Sequence, residues 1–271
     1  MIQNKYEIIK QIGKGQFGEI YEGLSKKKEK VAIKMEKDGP ISLLSEETTI
    51  LRYLYEKGCT NIPLIYWFGL YDNQLTLIMP FYECNLEQYI QCTIVDIKIV
   101  NNLTIQMINI LINIHKHGVI HRDIKPQNFM MKNNKLYLID FGLATIYLNE
   151  KKQHVEQKNN SSFIMGTPKF ISLFIHYGID PCRRDDLISV LYIYLYFLYE
   201  KLPWENVICE ETQDYSPYHI LHPKNKKRKE LKEDFHNHND YKKVIFDYVY
   251  KIQYDETPHY QKIISMIEEE L

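Results

Sequence analysis

Near Tyr82 and Glu83 the apolar residues of this chain change their spacing. Before that point the segments are short and extended. Residues 6–12, 19–24 and 31–35 alternate or run apolar, separated by glycines and by a lysine-rich turn at 25–30. Residues 64–71 and 75–81 flank Asp72-Asn73-Gln74, a hairpin signal. One helical stretch interrupts them at 41–55, where Leu44, Glu47, Leu51 and Leu54 share a face. After the change the spacing is helical. Residues 98–117 carry the stripe Leu103, Met107, Ile110, Leu111 and Ile114, and Gly118 marks the end of that helix. Residues 86–91, 187–200, 242–254 and 261–271 read as further helices, and 136–139 as a short strand. Strands first and helices afterwards predict an α+β, two-lobed architecture in one domain over 1–271. The small, mainly β lobe with its one helix is expected at 1–81, and the larger, mainly α lobe at 82–271.

Four short pieces carry chemistry. Gly13-Lys14-Gly15-Gln16-Phe17-Gly18 is a GxGxxG run, a pattern shared by dinucleotide sites and by ordinary Gly-rich hairpins. A dinucleotide site needs a helix next. Here a strand-like Glu19-Ile20-Tyr21-Glu22-Gly23 follows, which suits a flap whose bare backbone lies over phosphates. Val31-Ala32-Ile33-Lys34 ends a strand in a lysine. By itself that is an edge residue with a snorkelling stem. Beside a helix bearing Glu46 and Glu47, its ammonium can instead be held toward ATP phosphates. Glu47, on the face of Ile50, Leu51 and Leu54, is the expected partner.

The third piece is His121-Arg122-Asp123-Ile124-Lys125-Pro126-Gln127-Asn128, just past a helix end. Asp123 can accept the proton of an attacking hydroxyl, Asn128 can ligate Mg²⁺, and Lys125 can neutralise the transferred phosphoryl. The fourth is Asp140-Phe141-Gly142 after a strand, where a carboxylate can chelate the metal that bridges the phosphates. The spaced octapeptide is a strong match, while the other three pieces are weak or ambiguous alone. Together, in this order, they form the protein-kinase signature set.

Composition removes other classes. The formal net charge of -1 offers no global field for nucleic acid or an anionic membrane. The longest apolar run, 187–199, is shorter than the roughly 20 residues of a membrane span. The five cysteines make no CxxC pair or zinc spacing, which fits a reducing compartment, cytoplasmic and/or nuclear. No nucleic acid and no membrane are therefore expected as partners, while the kinase signature implies protein substrates and a monomer. His236 and His238 sit in a polar stretch and are expected at the surface.

Over nearly its whole length the chain resembles a eukaryotic protein kinase, and more specifically the casein kinase 1 family. HRDIKPQNFMM at 121–131 is similar to that family's catalytic loop, and Lys125 resembles Ser/Thr kinases. No Ala-Pro-Glu follows the activation segment. Gly166-Thr167-Pro168-Lys169-Phe170, then Arg183-Arg184-Asp185-Asp186 and Leu202-Pro203-Trp204, resemble the family's pattern instead. The resemblance implies ATP and Mg²⁺ as cofactors, with metals on Asn128 and Asp140. It implies an adenine pocket from Ile12, Ile20, Ala32 and Met130, under a flap of Gly13, Gly15 and Gly18. Met79 would be the gatekeeper and Tyr82 part of the hinge. Asp186 would brace the catalytic loop, and Thr167 would contact Asp123 and Lys125. Arg183 would bind a substrate anion, implying a preference for acidic or phospho-primed sites.

Two departures stand out. Phe174 occupies a place where the family usually has Asn, and 205–234, with Lys224-Asn225-Lys226-Lys227-Arg228-Lys229, does not align; it reads as a solvated charged loop or as cations that replace the family's substrate-side lysine. A pseudokinase scaffold, a dinucleotide-dependent oxidoreductase and a kinase of the vaccinia-related group are the rival readings.

Overall fold

The computed structural model describes residues 1–14, 18–36, 42–93, 96–209, 214–238 and 243–269. Along them run β1 (Tyr6–Lys14), β2 (Gly18–Ser25), β3 (Lys30–Glu36), α1 (Leu43–Glu56), β4 (Trp67–Tyr71), β5 (Gln74–Pro80), β6 (Cys84–Asn85), α2 (Leu86–Gln91), α3 (Ile97–Lys116), β7 (Val119–Ile120), β8 (Phe129–Lys132), β9 (Lys135–Leu138), β10 (Thr145–Ile146), α4 (Leu173–His176), α5 (Arg183–Tyr199), α6 (Pro223–His238), α7 (Lys243–Tyr250) and α8 (Tyr260–Glu268). Two units separate by their internal packing: Met1–Tyr89 with Gln127–Ala144, and Ile90–Pro126 with Thr145–Leu271.

In the first unit, turn chemistry sets the strand pairing. Asp72 and Asn73 take φ of 50° and 59°, the left-handed values that a two-residue hairpin loop requires. They join β4 to β5 in an antiparallel five-stranded sheet of order β1-β2-β3-β5-β4. Asn133 and Asn134, at 51° and 59°, close β8 on β9 in the same way. With β6 these strands make a second sheet, of which the sequence pattern revealed only the last strand. β6 and β8 have two and four residues, too few to show a period of two.

α1 begins at Ser42, whose side chain accepts from the Ser45 amide at 3.1 Å. Its buried face is Leu44, Ile50, Leu51 and Leu54, each contributing roughly 1.5–3 kcal/mol by leaving water, and Glu47 sits within that face. β3 alternates cleanly. Val31, Ile33 and Met35 enter one core with Ile2 and Ile78. Ala32 packs on the other side against Leu44, Leu77 and Met79, and Lys34 has the same parity.

The second unit is mainly helical. Asp96 caps α3 by accepting from the Ile99 amide, and Gly118 follows its end at φ +79°. Among the described residues α3 is the one helix long and apolar enough to cross a membrane by length and composition, and it packs on α5 and α8. α5 is buried on nearly every side. It starts four residues before the apolar run, so Arg183, Arg184, Asp185 and Asp186 form its first turn, with the acids at the positive end of the helix.

The segment expected to be a solvated loop contains α6. His236, expected at the surface, is instead packed among Tyr192, Phe246 and Tyr250, and burial pushes its imidazole down to about 4. Phe174 stacks on Tyr250, with the Arg184 guanidinium 3.3 Å from its ring centre.

Candidate active site

In the first unit, three elements bring three charges together. Lys34 Nζ on β3 lies 2.7 Å from Glu47 Oε2 on α1 and 2.8 Å from Asp140 Oδ1 after β9. Glu47 is 1 % exposed, and its other oxygen accepts from the Phe141 amide at 3.2 Å. Burial pushes Glu47 up, and Lys34 pulls against it. For Lys34 burial works downward, but the two carboxylates outweigh it and hold the ammonium above the ordinary lysine value. Glu46, one residue away, is exposed.

Asp140 takes a left-handed backbone, φ 65° and ψ 65°, a conformation that costs about 1 kcal/mol and that the Lys34 pair offsets. Phe141, fully buried, anchors the turn. A cavity of about 250 Å³ is lined by Gly18, Ile20, Lys34, Glu47, Met79, Asn128 and Asp140, together with Glu36 and Gln127, which the sequence reading did not single out. Gly18 is required there: a Cβ would stand 2.3 Å from the Met35 carbonyl oxygen. Gln127 donates to Glu87 at 2.5 Å, and Glu36 accepts from Ser42 and from the Leu44 amide.

The other predicted nucleotide residues do not line this cavity. Ile12 is 46 % exposed on β1, and Gly13 pairs with Ile20. Ala32 pairs with Met79, Tyr82 is buried against the Tyr137 ring, and Met130 pairs with Tyr137 and Asn85. Gly15 lies outside the described residues.

The second unit holds a hydrogen-bonded triangle. Thr167 Oγ1 donates to Asp123 Oδ1 at 2.7 Å, and Lys125 Nζ donates to Asp123 Oδ2 at 2.7 Å and to Thr167 Oγ1 at 3.2 Å. Asp186 fixes the loop beneath. One of its oxygens accepts from the Arg122 amide at 2.9 Å, the other from the His121 amide at 2.8 Å and from His115 Nε2 at 3.0 Å. Burial opposes ionisation of Asp186, but these hydrogen bonds outweigh it and keep the carboxyl below its usual range. Burial likewise keeps His115 neutral. The tautomer follows: Nε2 carries the proton toward Asp186, and Nδ1 accepts from the Tyr260 hydroxyl at 2.8 Å. Gly166, at φ +93°, packs so closely that a Cβ would lie 2.4 Å from the Arg122 carbonyl oxygen.

Arg183 is not on an open surface. It is 7 % exposed and donates to the Tyr147 hydroxyl, Thr257 Oγ1 and the Asp255 carbonyl, at 3.2, 3.1 and 2.7 Å. His115, as the support of Asp186, escaped the sequence reading because nothing local marks a histidine in a last helical turn as a partner for a residue 71 positions away.

The family model for the protein kinase domain matches residues 6–257. The chain therefore belongs to the protein kinase domain family, and its antiparallel sheet and mainly helical C-terminal part are the two lobes of that fold. Domains of this family are ATP-dependent phosphotransferases acting on proteins, and they generally use Mg²⁺. The donors at hand suit that ion. An amide oxygen from Asn128 and a carboxylate from Asp140 are hard ligands, and Mg²⁺ is commonly held by one or two such groups plus substrate phosphates.

Proposed function

We propose that this chain is an active Ser/Thr protein kinase of casein kinase 1 type. The observation that carries the reading is the Asp123–Lys125–Thr167 triangle. A carboxylate held by a lysine two residues on and by an activation-segment threonine is equipped to orient a hydroxyl and take its proton. Lys125 then offsets charge on the phosphoryl group in flight. Lys34, oriented by Glu47, holds the α- and β-phosphates. Asn128 and Asp140 would hold Mg²⁺, which would neutralise charge on the phosphates.

Acidic or phospho-primed acceptors suit the cations of α6, where Lys226 and Lys227 are exposed. Arg183 is not needed for this, since both its terminal nitrogens are engaged in the interior.

Transfer of radiolabel from Mg·ATP to casein, followed by phosphoamino-acid analysis, tests the reading. Phosphoserine and phosphothreonine are expected. Nucleotide binding without transfer would make the chain a scaffold, and phosphotyrosine would overturn the Ser/Thr assignment. Primed and unprimed peptides compared at several salt concentrations test the acceptor preference, with the primed peptide favoured and the advantage shrinking as salt rises.

A further inference from the structure

α6 is among the most polar helices of the chain, yet Lys232 at its centre is 0 % exposed. Its Nζ lies 3.0 Å from the Pro168 carbonyl oxygen, 2.6 Å from that of Ile171 and 3.3 Å from His176 Nε2. Charged or neutral, a lysine nitrogen has at least two N–H donors, enough for both carbonyls, and its third direction faces the His176 ring nitrogen. The rings of Tyr192 and Trp204 close the chamber, with centres 5.1 and 5.3 Å from Nζ. Among the described residues no carboxylate forms an ion pair with Lys232. Burial pushes both Lys232 and His176 well below their ordinary values, so each resists charging, and the His176 tautomer sets which of the two donates across their contact. A lysine buried without a counter-ion is costly, and surface helices do not place one in their interior face by chance.

What it grips is the segment that delivers Thr167. Trp204 Nε1 donates to the Lys169 carbonyl at 2.7 Å. The Thr167 carbonyl takes the amides of Phe170 and Ile171. Lys232 takes the carbonyls of Pro168 and Ile171. Side chains from α6 and from the Leu202-Pro203-Trp204 stretch therefore hold three of the carbonyls between 168 and 171. At the near end of this segment, Gly166 presses on the Arg122 backbone, and Thr167 spans Asp123 and Lys125. Slack of about an ångström in this segment would carry the 2.7 Å bond to Asp123 out of hydrogen-bond reach.

We propose that Lys232 is a positioning residue for phosphoryl transfer: it clasps the 168–171 backbone from α6 so that Thr167 stays on Asp123. This rests on the kinase reading given above. It also assigns one residue of the unaligned charged segment a role that does not involve meeting the substrate's charge.

Lys232→Met tests it in the full chain. The variant should lose about tenfold or more in kcat on a protein acceptor, because two buried carbonyls lose their donor, while the KM for Mg·ATP stays within about twofold. If Lys232 acts through Thr167, its effect should shrink in a Thr167→Ala background rather than multiply. Hydrogen exchange gives a readout independent of activity: the amides of Phe170 and Ile171 should exchange faster in the variant, ahead of those in α5. Should Lys232→Met fail to fold, Lys232→Gln carries the same comparison, since its shorter amide keeps a donor but cannot reach both carbonyls. Unchanged exchange at Phe170 and Ile171, or fully multiplicative losses with Thr167→Ala, would overturn the proposal. A wild-type chain that transfers no phosphoryl group would overturn the kinase reading alone, and the exchange comparison would still decide the clasp.

Discussion

The charged cluster of the first unit and the triangle of the second are built on different physics. In the first unit, Lys34, Glu47 and Asp140 form a cluster of full charges from three elements, 13 and 106 residues apart in sequence. Its stability depends on neutralisation, because Glu47 is buried and tolerates no missing partner. In the second unit, Asp123 is held by a hydroxyl and a near neighbour in sequence, and the loop around it hangs from Asp186 through backbone amides. The first arrangement positions anions by charge. The second positions a base by one ion pair with Lys125 backed by the Thr167 hydroxyl and by backbone amides, so a polar isostere there should spare the fold. The units differ in composition too. All ten histidines of the chain fall in the second unit's segments and none in the first's.

Asp123→Asn should produce the largest effect. It keeps the shape and the hydrogen bond from Thr167 but removes the base, so kcat should fall about 10²–10⁴-fold. Steady-state kinetics on a protein acceptor, paired with Mg·ATP binding, checks this. Unchanged nucleotide affinity with collapsed kcat would sharpen the contrast between cluster and triangle, and wild-type kcat would break it.

Lys34→Met should fail differently. It strands the Glu47 carboxylate, and stability should drop by about 3 kcal/mol, the lower end for a broken buried pair because Lys34 itself is 22 % exposed. Denaturant unfolding measures that loss, and Mg·ATP binding should weaken with it. A variant as stable as the parent would mean that the ion pair is not what holds Glu47 in place.

The smallest effect concerns acid. His236 is held down to about 4 in the fold and returns to about 6.5 when unfolded. As pH falls below 6.5 the unfolded chain takes up the proton first, so this contribution to stability is complete above that value and is lost toward pH 4. At pH 5 the loss from His236 is on the order of 2 kcal/mol. His115 and His176, also lowered by burial, act with the same sign. Unfolding at pH 7 and pH 5 should show the drop, and His236→Gln should reduce the difference between the two. Hydrogen exchange at pH 5 should loosen α5–α7 before the five-stranded sheet, and the reverse order would count against the assignment.

Much of this was legible along the chain. The hairpin at Asp72–Asn73, the α1 face that carries Glu47 and the kinase signature pieces are each local patterns within a few turns or strands. The contacts of Thr167 and the bracing by Asp186 were expected from the resemblance, and the structure supplies their distances. What escaped lay in α6. A run of lysines and glutamates has no apolar stripe to announce which face is buried, so Lys232 and His236 read as solvated. The same blindness affected Arg183, whose partners at Tyr147, Asp255 and Thr257 lie 36 to 74 residues away.

By itself, then, the sequence determined which residues can do chemistry and which short elements carry them, because capping, turn formation and strand or helix period act over a few neighbouring residues. Tertiary structure alone decided which charged side chains are buried and what they hold. Burial is conferred by segments distant along the chain, and a lysine enters the interior only where folded carbonyls and rings are already placed to receive it.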